Sequence, residues 1–173
     1  RQLRSSNTRW AQGGIAAAWD EDDSWSAHVE DTLDAGGGLC RREVVEYVAR
    51  QAKMRVEELI ELGVCFDRSD NDPDKYSLHR EGGHSARRIL HSKDLTGAEL
   101  MRALAEKALD SRIQIAEWWM VIDLITQGWL ARRENVLPPS PDKVIGAYAL
   151  NTETGEIQAF SAKVVAICSG GAG

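Results

Sequence analysis

The C-terminal segment constrains the fold of this chain most strongly. Val164 to Cys168 is uninterrupted apolar sequence, and it runs directly into Ser169-Gly170-Gly171-Ala172-Gly173. An apolar run without alternation is typical of a strand covered on both faces, as in a parallel sheet flanked by helices. A strand that ends in glycines is usually followed there by a helix or a further strand. The sequence therefore predicts an α/β fold, and we expect a piece of a longer protein rather than a complete small domain.

The composition excludes several classes of protein. Of the 173 residues, 43% are apolar and 28% are charged, which is typical of globular chains and not of disorder, collagen or coiled coil. No apolar stretch is long enough to predict a membrane span, and Arg1 to Thr8 does not resemble a secretory signal. The net charge of −6 disfavours nucleic acid and anionic membranes as partners. Cys40, Cys65 and Cys168 match no disulfide or zinc spacing, which favours a reducing cytoplasm.

Three helices are predicted before residue 111. The first follows Asp23-Ser24 and ends at Gly36-Gly37-Gly38, with large residues spaced three and four apart. The second runs from residue 43 to residue 62 and ends before Gly63, a residue type favoured just after a helix. The third begins at Thr96, where Thr96 and Glu99 have capping-box spacing, and ends near Asp110.

Strands are predicted around and after these helices. Two short strands, residues 64–68 and 76–79, flank a turn at residues 70–74. After the third helix we expect four strands and a loop over residues 131–143, and then the buried strand at residues 164–168. The four strands are residues 113–119, 120–126, 144–150 and 156–160, the last two joined by a hairpin turn at residues 151–155.

Two loops carry residues that suit ligand binding. In the first, Asn7 to Ala16, small residues and Gly13-Gly14 would let the backbone lie against a flat or phosphorylated ligand. Taken alone, this segment is equally a turn packed under a helix.

The second loop, His79 to Arg88, combines imidazoles, guanidinium groups, one carboxylate and Gly82-Gly83, which suits a small anionic substrate. Its alternative is a solvated loop with ion pairs. No metal site is predicted, because the spacing of His79, His84 and His91 matches no familiar ligand pattern.

Taken in order, these segments resemble the succinate dehydrogenase/fumarate reductase flavoprotein family, and within it the L-aspartate oxidases. The matching strings span almost the whole chain. They are residues 6–17, 28–33, 63–66, 80–85, 87–91, 96–97, 121–124 and 169–173. The resemblance implies part of a Rossmann-like FAD-binding domain with an antiparallel β-meander, over residues 1–173. The first βαβ unit with its dinucleotide fingerprint, and the capping domain with the catalytic arginine, would lie outside this chain.

The resemblance also assigns residues to FAD. Asn7 to Gly14 would contact it chiefly through backbone groups, Met120 and Val121 would lie near the adenine, and Ser169-Gly170 near the pyrophosphate. The implied cofactor-binding residues are Asn7, Thr8, Arg9, Trp10, Ala11, Gln12, Gly13, Gly14, Met120, Val121, Ser169 and Gly170. Succinate dehydrogenases carry a histidine, covalently joined to the flavin, where Asn7 stands here. Asparagine cannot form that bond, so the resemblance implies non-covalent FAD.

Glu81 separates the L-aspartate oxidases from the rest of the family. They carry this glutamate near the substrate, whereas the dehydrogenases and fumarate reductases carry an uncharged residue. Aspartate has an ammonium group that succinate lacks, and a carboxylate would orient it. Ala86, where a histidine is usual, and residues 92–95 depart from the pattern of the L-aspartate oxidases.

The implied activity is oxidation of L-aspartate to iminoaspartate, with oxygen or fumarate as the electron acceptor, in NAD biosynthesis. The chain alone is expected to be inactive. The substrate would be L-aspartate, and quinolinate synthase is a candidate pathway partner. The alternatives are a soluble fumarate reductase or succinate dehydrogenase-like flavoprotein, and a non-catalytic remnant or interaction module.

Overall fold

The computed structural model describes residues 2–170, so Gly171, Ala172 and Gly173 of the glycine-rich end lie outside the described residues. The chain divides into two compact units. The first comprises residues 3–115, and the second comprises residues 116–170 together with Gln2.

The first unit contains the three predicted helices. They are α1 (Trp25–Ala35), α2 (Arg42–Glu61) and α3 (Thr96–Leu109). α1 begins where it was predicted, because the Ser24 side chain accepts a hydrogen bond from the Ala27 N–H at 3.1 Å. α2 ends just before Gly63, whose φ of 98° is a conformation that residues with a side chain rarely adopt.

The predicted capping box at α3 is wrong. Leu95, not Thr96, precedes the helix, and the Thr96 hydroxyl accepts a hydrogen bond from the Ser92 N–H. Glu99 reaches out of the helix instead, where it accepts a hydrogen bond from the Cys65 N–H at 2.8 Å and pairs with Arg102.

A small antiparallel sheet joins the two candidate loops. Its strands are β1 (Ile15–Ala16), β2 (Leu78–His79) and β3 (Ile89–Leu90), in the order β1-β3-β2. β3 lies in the centre, with Leu90 opposite both Ile15 and Leu78. The predicted strand at residues 64–68 is reduced to a single bridge between Arg68 and Tyr76.

The core of the first unit lies between this sheet and the helices. Side chains from α2, α3, β2, β3 and the segments after β1 and α2 meet there: Ala17, Val56, Val64, Phe66, Leu78, Leu90 and Ala103. β3 and the residue that follows β1, Ala17, contribute to this core, so Gly14, directly before β1, is exposed beside buried neighbours, whereas Arg88, directly before β3, is itself buried.

The second unit is the predicted antiparallel meander. It consists of β4 (Trp119–Thr126), β5 (Val144–Asn151) and β6 (Ile157–Ser161), in that order, with a tight turn closed by a Gly155 N–H to Asn151 C=O bond of 2.9 Å. The strand predicted at residues 113–119 is absent up to Trp118, whose φ of 63° interrupts an extended chain. A helix that was not predicted, α4 (Gln127–Arg133), follows β4.

The strand predicted at residues 164–168 is also wrong for the described residues. This segment has no regular structure, and Val164 and Ile167 are 82% and 69% exposed. Cys168, expected in the core, is exposed as well. A strand requires a neighbouring strand for its main-chain hydrogen bonds, and no described strand lies beside this segment. The outcome is a mixed α/β chain whose sheets are antiparallel.

Candidate functional site

The first candidate loop is an exposed stretch of backbone. Asn7–Trp10 form a short 3-10 helix, and every residue from Asn7 to Gly14 is exposed. Among the described residues, nothing accepts a hydrogen bond from the N–H groups of Gln12 and Gly13. Exposed donors with no side chain at Gly13 and Gly14 fit a bound cofactor that is approached by the main chain.

Two glycines hold this loop against the rest of the first unit. A Cβ on Gly97, in the first turn of α3, would lie 1.7 Å from the Thr8 carbonyl oxygen. The Gly97 N–H also donates to the Ala11 carbonyl at 3.0 Å. A Cβ on Gly14 would lie 2.2 Å from the Leu90 carbonyl oxygen. The loop is therefore both a turn packed on a helix and an exposed surface, and the two interpretations of the sequence are compatible.

The structure brings the two candidate loops together. Glu81 is exposed, and its Oε1 lies 3.8 Å from the position that a Cβ on Gly13 would take. This contact follows from the small sheet, because β1 follows Gly14 and β2 precedes Arg80, and both strands pair with β3. A carboxylate therefore stands beside the segment that fits a cofactor.

Glu81 belongs to a tight turn with two anchored ends. The His84 N–H donates to the Glu81 carbonyl at 3.2 Å, and Gly83 has a φ of 84°. This is the position of a type II turn that favours glycine. At the base of the turn, the Arg88 N–H donates to the His79 carbonyl at 3.1 Å.

A buried ionic cluster lies under the turn. Arg88 is 0% exposed, and its guanidinium forms a bidentate pair with Asp23 at 2.8 and 2.9 Å. It also donates to Asp31 Oδ2 at 2.7 Å. The same Asp31 oxygen accepts the Ser85 N–H at 2.7 Å and the Ser85 hydroxyl at 2.8 Å.

Two pKa values are lowered in and beside this cluster, those of Asp31 and His28. Burial opposes the charge of Asp31, but the hydrogen bonds from Ser85 and the charge of Arg88 outweigh it and hold the pKa of Asp31 below its ordinary range. Burial, together with the charges of Arg88 and His84, lowers the pKa of His28. His28 and His84 lie edge to face with ring centroids 5.9 Å apart. A neutral His28 therefore lies beside the charged cluster at neutral pH.

The remaining predicted cofactor residues lie in the second unit. Met120 and Val121 on β4 are 50% and 65% exposed, and Ser169 and Gly170 are exposed near the end of the described chain. A cleft of about 580 Å³ is lined by Val121, by its neighbours on β4 and by residues 165–169. The structure thus places Val121 and Ser169 in one cleft, whereas Met120 and Gly170 do not line it.

Sequence reasoning missed the ionic cluster, although its elements carried a signal. His28, Asp31 and Ala35 are spaced three and four apart, which places them on one face of α1. The sequence shows a polar face on α1 and a loop rich in arginine, but it does not show that the loop packs on this face, so it could not predict the buried ion pair.

Among residues 2–170, no three His, Cys, Asp or Glu side chains are grouped so that they could hold a metal ion, and no helix is long and apolar enough to cross a membrane.

Known proteins resemble this chain over nearly its whole length. L-aspartate oxidase of Yersinia pestis is 44% identical over 98% of the chain, and that of Vibrio cholerae is 43% identical over 95%. The chain covers only 31% and 30% of these relatives.

Solved structures show the same likeness. A variant of the E. coli quinol fumarate reductase FrdA has a TM-score of 0.77 at 26% identity, over 91% of this chain and 25% of that one. For the Mycobacterium smegmatis Sdh1 complex the TM-score is 0.74 at 28% identity, over 93% of this chain and 27% of that one.

These likenesses confirm the predicted resemblance and the predicted fold class, since the neighbours of known structure are flavoproteins of the succinate dehydrogenase and fumarate reductase type. They also confirm FAD as the cofactor, because the model of the FAD binding domain matches residues 1–173. The chain therefore belongs to the FAD binding domain family.

Proposed function

We propose that the protein containing this chain is a FAD-dependent enzyme that oxidises L-aspartate to iminoaspartate. One observation carries the proposal: Glu81 Oε1 lies 3.8 Å from the position of a Cβ on Gly13, beside the exposed backbone that fits the cofactor. The names of the similar curated proteins support the choice of substrate. The chain spans about a third of the length of these relatives.

FAD supplies the redox chemistry when it is bound, by accepting a hydride equivalent from C2 of the substrate and passing the electrons to oxygen or fumarate. Asn7 to Gly14 would hold it through the main chain, with Met120, Val121, Ser169 and Gly170 as its further contacts. We propose that the cofactor is non-covalent, since the side chain of Asn7 has no nucleophile for a flavin bond. Acid precipitation of the holoprotein checks this, and flavin retained in the pellet would contradict it.

Glu81 would orient the substrate ammonium group. A carboxylate about 4 Å from an ammonium gains on the order of 4 kcal/mol of gross Coulomb energy at intermediate dielectric. Glu81 is exposed, so solvent screening reduces this gain, and a quarter of it still gives several-fold selectivity. The same charge repels a dicarboxylate without an ammonium, such as succinate. Glu81 therefore favours aspartate on electrostatic grounds.

The test is Glu81→Gln in the intact flavoprotein. We expect the KM for aspartate to rise about 3- to 10-fold, with a smaller change in kcat, because the lost interaction is present in the bound substrate as well as in the transition state. Glu57→Gln, which changes an exposed carboxylate on α2, is the control. An unchanged KM for aspartate in the Glu81 variant would contradict the role of this residue.

A second candidate is a fumarate reductase or succinate-oxidising flavoprotein, which the similar solved structures favour. If the wild-type protein turns over succinate faster than aspartate, this second function is the correct one.

We further propose that the protein is cytoplasmic and that its product enters quinolinate formation, with quinolinate synthase as pathway partner. We also propose that the 173 residues alone are inactive. Aspartate-dependent peroxide from this chain alone would overturn the last point.

A further inference from the structure

The glycine turn at residues 81–84 is docked on a single face of α1. Gly83 lies next to Ala35, since a Cβ on Gly83 would be 3.6 Å from the Ala35 Cβ. His84 packs edge to face on His28. Ser85 donates both its N–H and its hydroxyl to Asp31 Oδ2. Three consecutive residues of the loop therefore meet residues 28, 31 and 35 of the helix.

The helix supplies a fixed platform for these contacts. Val29 is buried in the first unit, and the 11 residues of α1 are capped at the start by Ser24. The Asp31 carboxylate cannot turn away, because the buried Arg88 guanidinium holds the same Oδ2 at 2.7 Å. Its side chain is only 16% exposed, so water competes weakly for these hydrogen bonds.

We propose that Asp31 and Ser85 are positioning residues, which clamp the glycine turn onto α1 and thereby hold the Glu81 carboxylate beside Gly13. This inference rests on the proposed role of Glu81. A turn that contains two adjacent glycines has a large choice of backbone conformations. The turn bond from His84 to Glu81 fixes its shape but not its direction. The bonds from Ser85 to Asp31 fix the direction, so the position of Glu81 depends on them.

Ser85→Ala in the intact flavoprotein tests the clamp with little risk to folding. It removes the hydroxyl bond to Asp31 and a long bond of 3.4 Å that the hydroxyl accepts from Arg88, and it leaves the Arg88–Asp31 pair intact. Because Ser85 acts on the substrate only through Glu81, we expect the KM for aspartate to rise by no more than in Glu81→Gln, about 3- to 10-fold, with kcat changed much less. Ser85→Thr keeps the hydroxyl and should restore the wild-type KM. Ser26→Ala, which removes an exposed serine hydroxyl near the start of α1 and away from the turn, is the matched control.

The double variant Ser85→Ala/Glu81→Gln shows whether Ser85 acts through Glu81. If it does, Ser85→Ala raises KM in the wild-type background and adds nothing in the Glu81→Gln background. Equal effects in both backgrounds would overturn the proposal. If Glu81→Gln raises KM and Ser85→Ala does not, the positioning role alone is overturned. If Glu81→Gln leaves KM unchanged, the proposed role of Glu81 fails and the positioning role falls with it.

Amide hydrogen exchange gives a measurement that does not depend on turnover. We expect the amides of residues 82–85 to exchange faster in Ser85→Ala than in the wild type, and to be unchanged in Ser26→Ala. Unchanged exchange in Ser85→Ala would show that the hydroxyl does not restrain the turn, and would overturn the proposal.

Discussion

At the residue scale, the ionic cluster is the most specific feature of the first unit. A fully buried arginine is costly unless every charge around it is matched. Arg88 meets this condition with two carboxylates, and Asp31 in turn accepts three hydrogen bonds on one oxygen. A cluster of this kind contributes orientation as well as stability, because each partner fixes the rotamer of the next.

Asp31 makes the stability of the protein sensitive to acid. Its pKa is lower in the folded chain than its ordinary value of 3.8, so folding favours the carboxylate. The resulting stability is fully present above pH 3.8 and is lost as the pH falls through the folded-state pKa. Asp31→Asn removes the charge, and we expect it to cost about 1–3 kcal/mol at neutral pH, because Arg88 loses a charged acceptor.

Urea unfolding of the wild type and Asp31→Asn at pH 7, 5 and below 3.8 measures this contribution. The difference between the two proteins should be constant between pH 7 and pH 5 and should shrink in acid. Asp34→Asn, an exposed change on the same helix, is the control. A difference that grows in acid would mean that Asp31 is not stabilised as the carboxylate.

At the element scale, α3 determines where the candidate cofactor loop lies. The 3-10 helix Asn7–Trp10 rests on the first turn of α3 with no side chain between them, which only a glycine at position 97 allows. Gly97→Ala would drive the Thr8 carbonyl away, and we expect a loss of about 1–3 kcal/mol, as for other overpacked sites. Thermal unfolding measures it, with Gly82→Ala as the control, because a Cβ there meets nothing within 4 Å. Equal stability of the two variants would contradict the close approach.

Elements defined by local signals were predictable from the sequence, and elements that depend on distant partners were not. α1 and α2 have their boundaries set by Ser24 and Gly63, which act on neighbouring residues. α4 was missed although Thr126 caps it locally by accepting the Trp129 N–H at 3.1 Å, since Thr126 also ends the predicted strand at residues 120–126. Its second support is distant: Asp142, fourteen residues beyond Gly128, accepts the Gly128 N–H at 2.7 Å. Residues 164–168 have the composition of a buried strand, but composition does not supply the neighbouring strand.

The same distinction applies to the candidate site. Its loops were recognised by their glycines and charges, which are properties of short segments. Their juxtaposition depends on β3, which pairs with the nearby β2 and also with β1, more than seventy residues earlier in the sequence, since Ile15 lies opposite Leu90 and Ala16 opposite Ile89. The bonds of Asp31 to Ser85 and Arg88 join positions that are 54 and 57 residues apart, so no pattern along the chain could reveal them.

At the scale of the whole molecule, the exposed apolar surface of the second unit predicts association. Val121 and Ile122 on β4 are 65% and 46% exposed and share their cleft with Ile167, which is 69% exposed. Contiguous apolar surface of this kind is uncommon on a protein that stays monomeric. We therefore expect the 173-residue chain to associate at micromolar concentration, and sedimentation velocity at two concentrations measures this. Ile167→Lys should reduce association, whereas Leu137→Lys, 90% exposed and not lining this cleft, should not. A chain that sediments as a monomer at both concentrations would mean that this cleft is not an adhesive surface.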